Sequence, residues 1–270
     1  MNLKIYLLLL FPLFSLAACS EYPPFEKNDW GELELHGKVK TLKKTKYIYH
    51  YNKEEDVLKK IDTLVSIYHF NEKGFLVKKI TYKGTSTYSF PKKGVIQRIF
   101  IPNDSTEETK NRLHFYNEKG DFTHTKDAIT GELKGSTYEY IYEYIYDNQN
   151  RIIQETSYGT ASIELPRERN SYSYDTNGNI ETQKIYKWSL FNEEEDGWYL
   201  KWVWHHKYNN KRHPTVLETY NAKGENVLNA RYEYRYDFNG NYTRKTCYIC
   251  NVEANKEHLD EIEEREITYY

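Results

Sequence analysis

Methionine occurs once, at the start, and the 270 residues hold only 13 Gly, 7 Pro and 3 Cys. So little glycine and proline excludes a collagen-like or low-complexity chain. Neither sign of charge dominates: 38 Lys and Arg stand against 40 Asp and Glu, a net charge of −2. That balance speaks against a general nucleic-acid binder. The apolar run from Ile5 to Leu16 is about twelve residues long, short of the roughly 20 that a membrane-crossing helix needs. There is no glycine-rich phosphate loop, no nucleophile elbow and no carboxylate pair in an unusual setting. What the chain has in abundance is tyrosine, 28 residues of it, beside 11 Phe and 5 Trp. Hydrophobic content of 39% is below the globular average and well above that of a disordered chain.

Lys4 precedes the apolar run, as in a secretory signal. The run ends in Leu16-Ala17-Ala18-Cys19. This tetrapeptide resembles the lipobox of bacterial lipoproteins. The resemblance implies that residues 1–18 are removed and that Cys19 receives a thioether-linked diacylglycerol. Two or three acyl chains, at roughly 0.8 kcal/mol per buried CH₂, make a stable anchor. Ser20 follows where an inner-membrane retention aspartate would stand, which implies the outer membrane. Ser20-Glu21 is similar to a short surface-export signal of Bacteroidota lipoproteins; the periplasmic and surface sides both stay open. Residues 19–31 read as the lipidated Cys and an extended tether around Pro23-Pro24. Residues 32–270 read as one β domain.

That domain is a repeat. An alternating aromatic stretch leads to Asn or Asp, two polar residues, then Gly or Asn. It runs Tyr68-His69-Phe70-Asn71-Glu72-Lys73-Gly74 and returns at Phe115-Tyr116-Asn117 through Gly120. Further copies are headed by Asp147, Asp175, Asn221 and Asp237, with weaker ones at Phe90–Gly94 and Tyr208–Arg212. Asn or Asp at the head can bond its own backbone two residues on. Gly accepts the left-handed conformation that closes a type I turn with a bulge. At Arg212 that glycine is missing, so the turn there is open to question. The flanks alternate with period two, as half-buried strands do. Each unit therefore reads as a β-hairpin, with Tyr suited to bury its ring and keep its hydroxyl wet.

Tyr144-Ile145-Tyr146-Asp147, Tyr172-Ser173-Tyr174-Asp175 and Tyr234-Arg235-Tyr236-Asp237 resemble the YD-repeat (RHS-like) family, in a short lipoprotein form found in Bacteroidota. Leu35–Lys40 looks like the opening strand of such lipoproteins and Arg265–Tyr270 like the closing one. The resemblance implies an all-β antiparallel meander of tandem hairpins, forming a curved or partly rolled sheet. It defines an architecture and says little about activity.

Residues 185–208 depart from the unit and hold four of the five Trp. Counting by two places Trp198, Leu200, Trp202, Trp204 and His206 on one face, with Tyr186, Trp188 and Leu190 able to face the same way. Tyr186, Trp188, Trp198, Trp202 and Trp204 are thus the candidate binding surface, for stacking on sugar rings or anchoring a protein partner. The alternative is a local core against neighbouring repeats. Glu193–Asp196 fits no known cation loop and reads as a solvated hairpin tip. His205 and His206 point opposite ways on a strand, so they and His213 give no metal site. With Cys19 lipidated, Cys247 and Cys250 remain as an even pair, readable as a disulfide or as free thiols; a regular strand would hold them beyond the reach of about 7 Å. Residues 251–264 read as a polar loop or short helix before the last strand.

No catalytic group, cofactor, metal or nucleic-acid partner is expected. The expected role is that of a non-enzymatic outer-membrane lipoprotein presenting an aromatic β-surface to a glycan or protein. Two rivals are an assembly- or immunity-type envelope protein whose sheet edge pairs with another chain, and, last, a hydrolase.

Overall fold

The first residue of each repeat turn organises the fold. Turns headed by Asn71, Asn117, Asp147, Asp175, Asn209, Asn221 and Asp237 share one hydrogen-bond pattern. In each, the side-chain Oδ1 accepts the backbone N–H groups two and four residues on. The head N–H donates to the carbonyl four residues on, and the fourth residue donates back to the head carbonyl. That fourth residue is left-handed, as at Gly178 with φ of 79°. Asn150 and Arg212 adopt the same conformation at φ of 60° and 67°. The turn at Arg212 therefore closes like the others, and its guanidinium donates to Asn179 Oδ1 and the Asn177 carbonyl at 2.9 and 2.7 Å.

The computed structural model describes residues 28–52, 57–131, 140–159, 162–189, 197–252 and 256–270. The signal segment, Cys19, most of the tether, Leu190 and the acidic tip Glu193–Asp196 lie outside them. A short helix α1 (Asp29–Glu32) precedes β1 (Val39–Asn52), β2 (Val57–Phe70), β3 (Leu76–Thr81) and β4 (Gly84–Lys92). Then come β5 (Val95–Pro102), β6 (Lys110–Tyr116), β7 (Phe122–Asp127) and β8 (Tyr140–Tyr146). The second half holds β9 (Ile152–Gly159), β10 (Ser162–Tyr174), β11 (Ile180–Trp188) and β12 (Trp198–Tyr208). It ends with β13 (Pro214–Asn221), β14 (Asn226–Tyr236), β15 (Tyr242–Asn251) and β16 (Lys256–Tyr269). Residues 256–264, expected as loop or helix, are strand: Glu261 and Glu263 find Lys46 and Lys44 across the sheet, so a polar sequence pairs as well as an apolar one.

All sixteen strands form one antiparallel sheet in which sequence neighbours are spatial neighbours, and β1 closes on β16. The meander expected from the repeats thus rolls into a nearly closed barrel. Among the described residues one junction, between β7 and β8, lacks a backbone ladder. Side chains bridge it: Tyr144 donates to the Phe122 carbonyl at 2.7 Å and Tyr146 to Asp121 Oδ2 at 2.6 Å. Turns after even-numbered strands gather at one rim, and the Asn221 turn sits at the other.

Residues 28–37 cross the first rim as a strap. Asn28 caps α1 and donates to the Lys73 carbonyl, Trp30 Nε1 donates to the Val39 carbonyl, and Arg265 donates to the Leu33 carbonyl. Beneath the strap lies the main apolar core: Leu35, Val39, Leu42, Tyr68 and Phe70, with Trp30 and Ile267 packed on it. Asn28 and α1 thus belong to the folded chain, within the stretch 19–31 that the sequence reads as lipidated Cys and tether.

The outer face is charged. Lys43–Glu266, Lys207–Glu218 and Arg244–Glu264 pair across strands at 2.7, 3.0 and 3.0 Å, and Arg231 holds Glu257 and Glu233.

Asn241 is fully buried; it accepts the His36 N–H at 2.5 Å and donates to the His36 carbonyl and to Tyr269 Oη. Asn241→Ala strands these groups and is expected to cost about 2 kcal/mol or more. Chemical denaturation of the two proteins checks this; equal midpoints would show that the strap does not depend on it.

Candidate functional site

Opposed residues on antiparallel strands share a face. Tyr144 is opposite Glu155, Glu155 opposite Asn170, Asn170 opposite Ile185, and Ile185 opposite Trp202. Glu155 and Tyr144 also line a cavity with Asp29 of the strap and Ile96 of β5, so this face is the barrel interior.

The aromatic face expected from counting by two is split. Ile185 is opposite Trp202, yet the next residue, Tyr186, is opposite Leu200. β12 carries one extra residue there, a bulge that reverses the alternation. Trp202 and Trp204 consequently face the interior, while Tyr186, Leu200 and Trp198 take the other face. Trp198 is only 9% exposed, with the Arg169 guanidinium 4.6 Å above its ring and 4.9 Å from that of Tyr186. Trp188 meets Trp198 edge-on at 5.3 Å. Its Nε1 is buried without a hydrogen-bond partner, as is Arg169 Nε. Trp188 also borders a cleft.

That cleft has a volume of about 570 Å³ and opens between β8 and β11. Tyr142 supplies a flat wall and Glu155, Ser157, Glu168 and Lys187 supply polar ones; Trp188, opposite Trp198 and on its face, borders the cleft at its edge. Asn170, 7% exposed, is the hub behind them. Its Nδ2 donates to Glu155 Oε1 and Glu168 Oε1, each at 3.3 Å, and its Oδ1 accepts Gln183 Nε2 at 3.2 Å. Lys187 pairs with Glu168. Burial raises the Glu155 carboxyl above its ordinary range; the Asn170 bond opposes this, and the charges of Glu168 and Asp121 add to it. The arrangement offers fixed donors and acceptors beside the Tyr142 ring, which suits a hydroxyl-rich ligand.

Glu155, Glu168, Asn170 and Lys187 escaped sequence reasoning, although each sits at an inward position of an alternating strand. That was the available signal: polar residues on the face where a core was expected.

Cys247 is a free thiol, and no disulfide joins it to Cys250. β15 is regular between them, so they face opposite ways. Burial pushes the Cys247 thiol up to about 11, with Asp260 adding to the shift. His213 is 2% exposed and bonds Tyr236 Oη, whereas His205 bonds Thr182. Among the described residues no group of three or more His, Cys, Asp or Glu is placed to hold a metal ion.

No protein-family model and no curated protein matches the chain. Solved structures do. A porin-like protein from Bacteroides uniformis ATCC 8492 is 12% identical, with 85% of this chain and 96% of that one covered, at a TM-score of 0.54. A porin-like protein from Bacteroides vulgatus ATCC 8482 is 11% identical, with coverage of 86% and 98%, at a TM-score of 0.40. A Bacteroides fragilis NCTC 9343 protein of unknown function is 20% identical over 48% of this chain and 91% of that one, at 0.35. The first likeness shows a shared all-β barrel-like fold.

A carboxyl raised in the folded state binds its proton more tightly there than in the unfolded chain, so its charge opposes folding as pH rises through that window. Glu155→Gln keeps the acceptor for Asn170 and removes that charge. It is expected to raise the melting temperature at pH 7, with the gain vanishing as pH falls below about 4, where the unfolded carboxyl is itself protonated. Thermal melts across this range check it; an unchanged or lowered melting temperature at pH 7 would contradict it.

Proposed function

We propose that this chain is a non-enzymatic, lipid-anchored envelope protein whose interior cleft binds a glycan. The supporting observation is the cleft itself, where the Tyr142 ring stands beside Glu155, Glu168, Ser157 and Lys187. Ring faces with neighbouring hydrogen-bonding groups match the alternating apolar faces and hydroxyls of sugars. The binding surface is thus concave and interior, rather than the flat outer sheet that the tryptophan spacing suggested.

Two solved structures of related shape carry the words porin-like, and the present chain argues for a different relation to the membrane. A spanning barrel shows lipid an apolar band about 25 Å tall. The cross-strand ion pairs of this outer face would sit in that band at a cost of a few kcal/mol per exposed cation. We read the barrel as standing in water, held by lipid on Cys19 in the outer membrane. An assembly- or immunity-type role through edge pairing has less support: the free edges, β7 and β8, face each other and are bridged by tyrosines.

Titration of the purified protein with neutral and acidic oligosaccharides is expected to find a binder. Tyr142→Ala should weaken it roughly tenfold or more, the loss expected when an aromatic anchor is truncated. Absence of binding across such a set would refute the glycan reading. Separately, mass spectrometry of the mature protein should show Cys19 as the first residue carrying acyl chains; an unmodified Cys19 would remove the anchor. Protease shaving of intact cells then separates a surface location from a periplasmic one.

A further inference from the structure

A second cavity adjoins the tryptophan cleft, sharing Glu155 as a common wall. It occupies about 450 Å³ between α1 and the β7–β8 seam. Its character is different. Four rings wall it: Phe75, Tyr116, Phe122 and Tyr144, with Tyr116 and Phe122 edge-on at 5.8 Å. Four carboxylates stand among them, Asp29 and Glu32 from α1, Asp121 from the β6–β7 turn, and Glu155 from β9. The residues lining it include no Lys, Arg or His.

The local structure explains why both carboxylates of α1 point there. Residues three apart on a helical turn share a side, so Asp29 and Glu32 line the cavity while Trp30 turns into the apolar core. Asp29 is fixed by the Leu76 N–H at 2.7 Å and Asp121 by Tyr146 at 2.6 Å. Glu32 is exposed at the cavity edge. Burial raises the Asp29 carboxyl and Glu32 adds to the shift. Burial likewise pushes the Tyr116 hydroxyl up to about 12, with Asp29 and Glu32 contributing. No positive charge opposes either shift.

We propose that this aromatic-walled cavity binds a small organic amine in its protonated form. Ring faces attract a cation that has shed its water, and carboxylates spaced around the walls accept its N–H groups. The carboxylates come from three elements and, among the described residues, form no metal-holding group. An extended ammonium ligand can reach several of them, where a point ion reaches few. The aromatic walls exclude a purely hydrophilic counter-ion role. This inference is independent of the glycan reading, because Trp188 lines only the neighbouring cleft.

The test is calorimetric titration of the full mature protein with spermidine, using calcium chloride and N-acetylglucosamine as controls, at pH 7 and pH 4.5. Saturable binding of spermidine at pH 7 is expected. It should weaken at least fivefold in Glu32→Gln, whose exposed position leaves folding intact, and should persist in Trp188→Ala. Binding should also fall at pH 4.5, where the raised carboxyls take up protons. A conservative change of wall, Phe122→Leu, should weaken it with the charges unaltered. Absence of spermidine binding, or affinity equal in Glu32→Gln and wild type, would overturn the proposal. Calcium bound as tightly as spermidine, with the Phe122→Leu variant unaffected, would also overturn it in favour of simple charge attraction. Loss of spermidine binding in Trp188→Ala would place the amine in the cleft and refute the assignment to this cavity.

Discussion

One interaction sets the terms for the rest of this structure: a tyrosine hydroxyl bonded to the turn of the preceding hairpin. Tyr146 bonds both Asn117 and Asp121, Tyr236 accepts from Asn209, and Tyr269 donates to Asp237. In each case the tyrosine ends its own strand and the Asn or Asp heads the turn before it. The carboxamide or carboxylate thus serves twice, folding its own turn with Oδ1 and receiving the next hairpin with its other atom. Lysines of the turns lie over the same rings, Lys119 at 3.6 Å from Tyr146 and Lys211 at 4.3 Å from Tyr236. A hairpin alone is marginal in water. Hairpins tied in this way through the rim share their stability, which lets a barrel with a polar interior stand without a dense core.

The strap and the first and last strands complete what the rim begins. Arg265 lies 3.5 Å from the Tyr242 ring, bonds Glu263 at 2.9 Å, and reaches the Leu33 carbonyl. Lys44 approaches the same Glu263 at 3.1 Å. Glu263 is buried, yet its carboxyl stays below the ordinary range because these two cations outweigh desolvation. A charge so enclosed is tolerated only when hydrogen-bonded and paired. The cluster therefore joins strap, opening strand and closing strand at one point.

Much of this was legible beforehand, and the limits have physical causes. The repeat turns, their strands and the all-β class could be read because Asn or Asp at the head and Gly at the fourth place leave a local signature. Closure could not: whether hairpins curl into a barrel depends on β1 meeting β16, a pairing set by residues more than two hundred positions apart. The polar stretch 256–264 read as loop because strand patterns are recognised by apolar alternation, and here the inward residues are charged. The tryptophan face failed at one inserted residue on β12, a bulge that leaves no mark in composition. The cleft was invisible for a related reason. Its working residues are ordinary Glu, Asn and Lys, and only the curvature of the sheet brings them together.

The closure of β1 on β16 has a consequence for how the chain comes into being. Fourteen of the fifteen strand pairings join neighbours in sequence, and such local contacts form with little loop entropy to overcome. The remaining contact joins the first strand to the last. As the chain is made, amino terminus first, one edge of β1 is bare until β16 has followed. A nearly complete sheet with an open edge is the species most exposed to mispairing. The strap addresses this hazard from the start: residues 28–42 fold Trp30, Leu35, Val39 and Leu42 onto Tyr68 and Phe70, all within the first hairpin and its lead-in. Maturation thus begins from a small nucleus at the amino terminus and ends when the carboxyl-terminal strand seals it.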